Sequence, residues 1–108
     1  VGKFVKFKDK AGEFRFNLKS DNGQTILTSE GYKAEASCDN GIASVKKNSS
    51  EDARYERKEA ANGKFHFNLK ATNGQVIGVS QMYASEATRD AGIKSVMSNA
   101  PSASVETE

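Results

Sequence analysis

Side chains with reactive chemistry are few in this sequence and stand apart from one another. His66 is the only histidine and Cys38 the only cysteine. An imidazole acts as base or ligand when partners position it. Here neither an H-x-x-x-H pair nor a carboxylate cluster accompanies His66. It falls on the polar side of a predicted strand, where a solvated ring is expected. Cys38 falls on an apolar helical stripe and reads as a small buried hydrophobe, not a nucleophile. One cysteine excludes an internal disulfide and a thiolate cluster for zinc. Asn-Gly recurs at Asn22, Asn40, Asn62 and Asn73, without phosphate-loop spacing or a following Lys-Ser/Thr. Three of these read as turns and Asn40 as helical. Asn48-Ser49-Ser50 fits a glycosylation tripeptide, a pattern common by chance. The expectation is a chain with no catalytic residue, no cofactor and no metal.

One polar set does have a pattern: Arg15, Asn17 and Lys19, matched by His66, Asn68 and Lys70. Each triad alternates with apolar residues, so it takes the opposite face of its strand. If helices cover the Phe side, the six share the open face of one sheet, the candidate binding face. A basic sheet face can hold phosphate backbones. RNA-binding sheets also present stacking aromatics, whereas these strands turn their aromatics to the core. A solvated antiparallel face is the plainer alternative. Tyr32 and Tyr83 are expected as rings packed over the sheet edge with wet hydroxyls.

The elements that must carry these residues occur twice. Gly12-Glu13-Phe14-Arg15-Phe16-Asn17-Leu18-Lys19 returns as Gly63-Lys64-Phe65-His66-Phe67-Asn68-Leu69-Lys70 at an offset of about 51 residues. Ile26/Ile77, Tyr32/Tyr83, Gly41/Gly92, Val45/Val96 and Asn48/Asn99 keep the same offset, so no insertion separates the copies. Half of a 108-residue chain buries too little surface to be comfortable alone. The repeats 1–51 and 52–108 are therefore expected to share one core as a single pseudo-two-fold domain, an internal pseudo-dimer within a monomer.

The net charge is +2 and the mean hydropathy −0.67. That near-balance argues for no particular polyanionic partner, although Lys3, Lys6, Lys8, Lys10, Arg15 and Lys19 crowd the first copy. No apolar run approaches the roughly 18 residues of a membrane helix, and Val1-Gly2-Lys3-Phe4 lacks the apolar stretch of a signal peptide. A cytoplasmic protein off the membrane is expected.

Along each copy the period changes once. Residues 3–9 read as a first strand, with the position shared by Phe4 and Tyr55 facing inward. A second strand follows Gly12 or Gly63, then Asn22-Gly23 or Asn73-Gly74, where both residues can take positive φ in a hairpin turn. A third strand runs at 25–29 and 76–80. Cys38, Ile42 and Val45 then fall at i, i+4, i+7, one helical stripe. Ser85 reads as an N-cap, and Asn48 and Asn99 as C-terminal residues suited to the left-handed region. Gly41 and Gly92 sit inside the helices at about 1 kcal/mol relative to Ala, which implies close approach of helix to sheet. Residues 102–108 read as either a short last strand through Val105 or a frayed segment.

Taken together, G-E-F-R-F-N-L-K, N-G-Q-T-I, S-E-G-Y and G-I-A-S-V, repeated as G-K-F-H-F-N-L-K, N-G-Q-V-I, S-Q-M-Y and G-I-K-S-V, resemble the bacterial YegP-like family of uncharacterised small domains in its tandem form. The resemblance implies an α+β fold. Two βββα(β) repeats would share one antiparallel sheet, with both helices on one face and the C-terminal strands swapped. It brings no activity, substrate or catalytic residue. The function expected is a small non-catalytic binding or interaction module whose partner the sequence leaves open, a protein among the candidates. Weak nucleic-acid binding through the basic face, or an enzyme of unknown type, are the alternatives.

Overall fold

Alternation decides the strands, and the structure shows the buried side of each. In the computed structural model, which describes residues 2–108, Phe16 and Leu18 of β2 (Phe14–Lys19) are fully buried while Arg15, Asn17 and Lys19 stay half-exposed. The second copy does the same with Phe67 and Leu69 in β5 (Phe65–Lys70). The remaining strands are β1 (Lys3–Lys8), β3 (Thr25–Thr28), β4 (Tyr55–Glu59), β6 (Val76–Val79) and β7 (Ser104–Thr107). Phe4 and Tyr55 both face inward, as expected. The helices α1 (Glu35–Asn48) and α2 (Glu86–Asn99) lay their apolar stripes on that inner face. Cys38, Ile42 and Val45 from α1, and Ile93 and Val96 from α2, join the strand residues in one core cluster.

Four hairpin turns share one geometry. Gly12 N donates to Asp9 O, Gly23 N to Ser20 O, Gly63 N to Ala60 O and Gly74 N to Ala71 O, each at 2.9–3.0 Å. Each glycine has φ between +81° and +85°. No other residue type among the described residues has positive φ, so Asn22 and Asn73 do not share the left-handed region as expected. The turn is a type I turn closed by a left-handed Gly, a three-residue hairpin loop. The asparagines serve otherwise: Asn22, Asn62 and Asn73 each accept the backbone N–H two residues on. A bulge then follows in each third strand, since Leu18 faces Leu27 while Lys19 faces Thr25. The extra residue lets Ile26 and Leu27, neighbours in sequence, both reach the core.

The sheet order is β4-β5-β6-β3-β2-β1-β7. Six strands are antiparallel neighbours, as expected, and the two copies join where Thr28 faces Val79. These residues are repeat equivalents, so the pseudo-two-fold axis passes between them. The seventh strand makes the sheet mixed: β7 runs parallel to β1. The symmetry explains this pairing. A two-fold carries β1 onto β4 and β4 back onto β1. The strand that leaves α2 therefore arrives at the place β1 already fills, heading the same way, and adds beside it. Both post-helix segments enter through a one-turn 3-10 helix, Asp52–Arg54 and Ala100–Ser102. They then pair differently, β4 antiparallel to β5 and β7 parallel to β1, so this pairing does not establish a symmetric exchange of C-terminal strands.

Two helix details differ from expectation. Asn48 and Asn99 are the last helical residues, not left-handed caps, because the chain runs on in right-handed turns through Ser49 and Ala100. Their amides reach back to Ser44 O and Ser95 O at 2.9 and 2.8 Å. The helix glycines are explained by tyrosine. A Cβ on Gly41 would stand 2.5 Å from the Tyr32 hydroxyl, and one on Gly92 would meet Tyr83 likewise. These hydroxyls thus press on a helix instead of standing in water, and burial pushes both phenol pKa values up. Ser85 is the N-cap of α2, in a capping box with Thr88.

Candidate functional site

The two polar triads lie on β2 and β5, with β3 and β6 between them. At sheet spacing that separates them by about 15 Å. They form two clusters, and most of their charge is already matched. Arg15 Nε donates to Asp9 Oδ2 at 2.7 Å and its Nη1 to Ser29 O at 3.2 Å. The guanidinium holds the Asp9 carboxyl below its ordinary value, helped by the Glu13 and Ala11 backbone amides. Asn17 Oδ1 accepts from Thr28 Oγ1. Lys19 lies across the ladder from Lys3, and Lys3 is itself tied to Glu106 at 3.5 Å.

In the other half Glu56 is the centre. Asn68 Nδ2 donates to it at 3.2 Å, Lys70 Nζ stands 3.3 Å away and Lys58 Nζ 3.9 Å. The Asn68 bond, then Lys70, keeps the Glu56 carboxyl below its ordinary value. His66 pairs with Lys58 in register, and its Nδ1 is shielded without a hydrogen-bond partner among the described residues. It occupies the place of Arg15, while Ala60 occupies that of Asp9, so both members of that ion pair change together between copies. Where β4 presents Glu56 and Lys58, β1 presents Val5 and Phe7 to the same face. On the open face the charges of Arg15 and Lys70 are each paired with a carboxylate.

Sequence reasoning missed the ion pairs that tie first strands to helices. Lys6, only 9 % exposed, lies on the inner face beneath α1. It donates to Asp39 at 2.8 Å and to Glu35 at 2.9 Å, and these bonds raise its pKa. In the second copy Arg57 contacts Asp52 at 2.8 Å and Asp90 at 3.4 Å. The signal was present: Lys6/Arg57, Glu35/Glu86 and Asp39/Asp90 keep charge at repeat-equivalent positions. Blurred alternation in β1 had hidden it.

A groove between α2 and the β2–β3 turn is lined by Gln24, Tyr83, Thr88, Ser95 and Asn99 among others. Its polar groups are largely spent on each other, Thr88 in the capping box and Asn99 on Ser95. Among the described residues no three His, Cys, Asp or Glu side chains gather as a metal site. No helix among the described residues is long and apolar enough to cross a membrane.

What the geometry does set apart is the rim of the sheet. The outer edge of β1 is covered by β7, and the outer edge of its counterpart β4 has no strand beside it among the described residues.

Fold and site together define a class: twinned βββα units fused through one sheet, with structural ion pairs and a strand edge. The family described as a domain of unknown function, DUF1508, matches this chain twice, at residues 9–56 and 60–106, and the chain belongs to it. A relative from Stutzerimonas stutzeri, a UPF0339 protein in the ptx operon 5' region, is 62 % identical over 96 % of this chain and 94 % of its own. The UPF0339 protein YegP of Escherichia coli K12 is 53 % identical over 97 % of this chain and 96 % of its own. The solution NMR structure of E. coli yegP, a protein of unknown function, superposes with a TM-score of 0.95 at 52 % identity, covering 100 % of this chain and 93 % of that one. A UPF0339 protein of Shewanella oneidensis superposes with a TM-score of 0.93 at 48 % identity, over 98 % of this chain and 90 % of that one. These relatives bear out the resemblance read from the repeated motifs, and they are uncharacterised.

Proposed function

We propose that this chain is a non-catalytic interaction module, a cytoplasmic monomer that accepts an extended polypeptide strand on the outer edge of β4. One observation carries the reading: the repeat symmetry places β4 where β1 stands, and among the described residues only β1 has a strand added outside it. The bound strand β7 shows what such an addition looks like. Lys6 O faces outward and accepts Glu108 N at 2.8 Å. Its equivalent, Arg57, has the matching outward backbone on β4. Strand addition draws affinity from these main-chain groups and specificity from alternate side chains. The charges of Glu56, Arg57, Lys58 and Glu59 discourage indiscriminate edge pairing, so the partner is a strand with polar residues matched to them. Of the open-face residues, His66, Asn68 and Lys70 on β5 flank this edge, while Arg15, Asn17 and Lys19 on β2 lie four strands away.

The test is selection of displayed extended peptides on the chain, followed by titration of isotope-labelled protein. Amide shifts confined to Tyr55–Glu59 are expected, with binding abolished by Arg57→Pro and retained by Arg57→Lys. Ligands that shift only Arg15, Asn17, Lys19, His66, Asn68 and Lys70, or a selection yielding none, would overturn the reading.

A further inference from the structure

The outer edge of β1 has an occupant that looks replaceable on physical grounds. All four residues of β7 are exposed, Val105 at 47 %. Its departure would leave no hole in the core, since the last buried side chain before it is Ala103. What holds it is backbone pairing at Lys3–Lys6 and the exposed Lys3–Glu106 contact, and exposed ion pairs contribute little. Beneath it, β1 is more apolar than its counterpart β4, with Phe4, Val5 and Phe7 between Lys3, Lys6 and Lys8. The strand seated there is acidic, with Glu106 and Glu108. A groove continues past Thr107 and Glu108 along Phe7, Lys8 and Phe14, with Lys6 and its partner Glu35 at its side.

We propose that the β1 edge is a second strand-accepting site, selective for acidic extended segments, with β7 as its displaceable occupant in cis. The occupant is argued from the tail itself, the acidic strand that fits there, and from the lysines that flank the edge. Lys3 selects for a carboxylate at the position of Glu106, and Lys8 for acid further along. This site is independent of the β4 edge: a ligand here moves the amides of Lys3–Lys6, and one there moves Tyr55–Glu59.

The experiment uses the whole chain and a fluorescein-labelled peptide of residues 103–108. Glu108 N faces β1, so Glu106, two residues earlier, presents its N–H to the same side. Glu106→Pro therefore removes both a ladder donor and the partner of Lys3. The Glu106→Pro chain is expected to bind the peptide at least tenfold more tightly than the unaltered chain. Adding Lys3→Glu, which turns that exposed contact into a repulsion, should weaken binding about two- to fivefold, and a peptide with both Glu changed to Lys should lose a similar factor. Equal affinity of the two chains, or no binding by the folded Glu106→Pro chain, would overturn the proposal. A second measurement needs no variant. In the unaltered chain the Glu108 amide should exchange with solvent at least a hundredfold faster than those of Phe16 and Leu18. Exchange at the same rate would mean that β7 leaves only when the whole fold opens, and the proposal would fail.

Discussion

Leu27 and Gly78 are repeat equivalents on either side of the pseudo-two-fold axis, and there the symmetry has to break. A Cβ on Gly78 would stand 2.6 Å from Leu27 Cδ2. Leu27 is fully buried, so it has little room to yield. Two large side chains cannot share the space beside the axis; one leucine fills it and a glycine makes way. Gly78→Ala is therefore expected to destabilise by roughly 1–3 kcal/mol through overpacking. Leu27→Ala alone should cost about 2–5 kcal/mol through the cavity it leaves. In the double variant the new methyl enters that cavity, so the combined loss should fall short of the sum by at least about 1 kcal/mol. Urea midpoints of the four proteins check this, and strict additivity would disprove the packing argument. The sequence shows the Leu-to-Gly change but not its cause, because the cause is the meeting of two copies at an axis. Ser85, by contrast, was legible as an N-cap, because its partner Thr88 lies within one turn.

At the scale of elements, ion pairs fasten strands to turns and helices, and they set the pH range of the fold. Arg15 holds Asp9 at the first turn, Arg57 holds Asp52 beside β4, and Asn68 and Lys70 hold Glu56 across β4 and β5. Each of these carboxyls is depressed below its ordinary value of 3.8 or 4.5. A depressed carboxyl stabilises the fold above its unfolded pKa and loses that contribution as pH falls through its folded pKa. Lys6 is raised above its ordinary 10.5, so its contribution is complete below that value and is lost as pH rises through the folded one. The urea midpoint is thus expected to be flat from about pH 5 to pH 10, falling on the acid side below about pH 4.5. Arg15→Gln should lower the midpoint at pH 7 and make the acid limb shallower, because only the Glu13 and Ala11 amides then hold the Asp9 carboxyl down. An unchanged acid limb would remove Asp9 from the explanation. Strands and helices were readable because alternation and the i, i+4, i+7 stripe are local patterns. Lys6 was not, since its partners stand on a helix some thirty residues away. The edge was not either, because strand order is a property of the assembled sheet.

On the scale of the whole molecule, the halves meet edge to edge at one registered pair, Thr28 and Val79. So short a seam is weak by itself, and the helices brace it. Helix α1 packs on β2 of its own copy and on β5 and β6 of the other, while α2 packs on β5 and on β3. Phe16 and Leu18 share one apolar cluster with Phe67 and Leu69, and the radius of gyration, 13.0 Å, is that of a compact body. Neither copy can keep its helix packed once the other has opened, because each helix would lose half of its floor. The repeats are therefore expected to unfold together, in one cooperative step. Residue-resolved amide signals from Phe16 and Phe67 should vanish at the same urea concentration, and Leu27→Ala at the seam should lower both midpoints equally. Two separated midpoints, or a Leu27→Ala effect confined to residues 2–48, would mean two independent units, and the β4 edge would then belong to the second repeat alone.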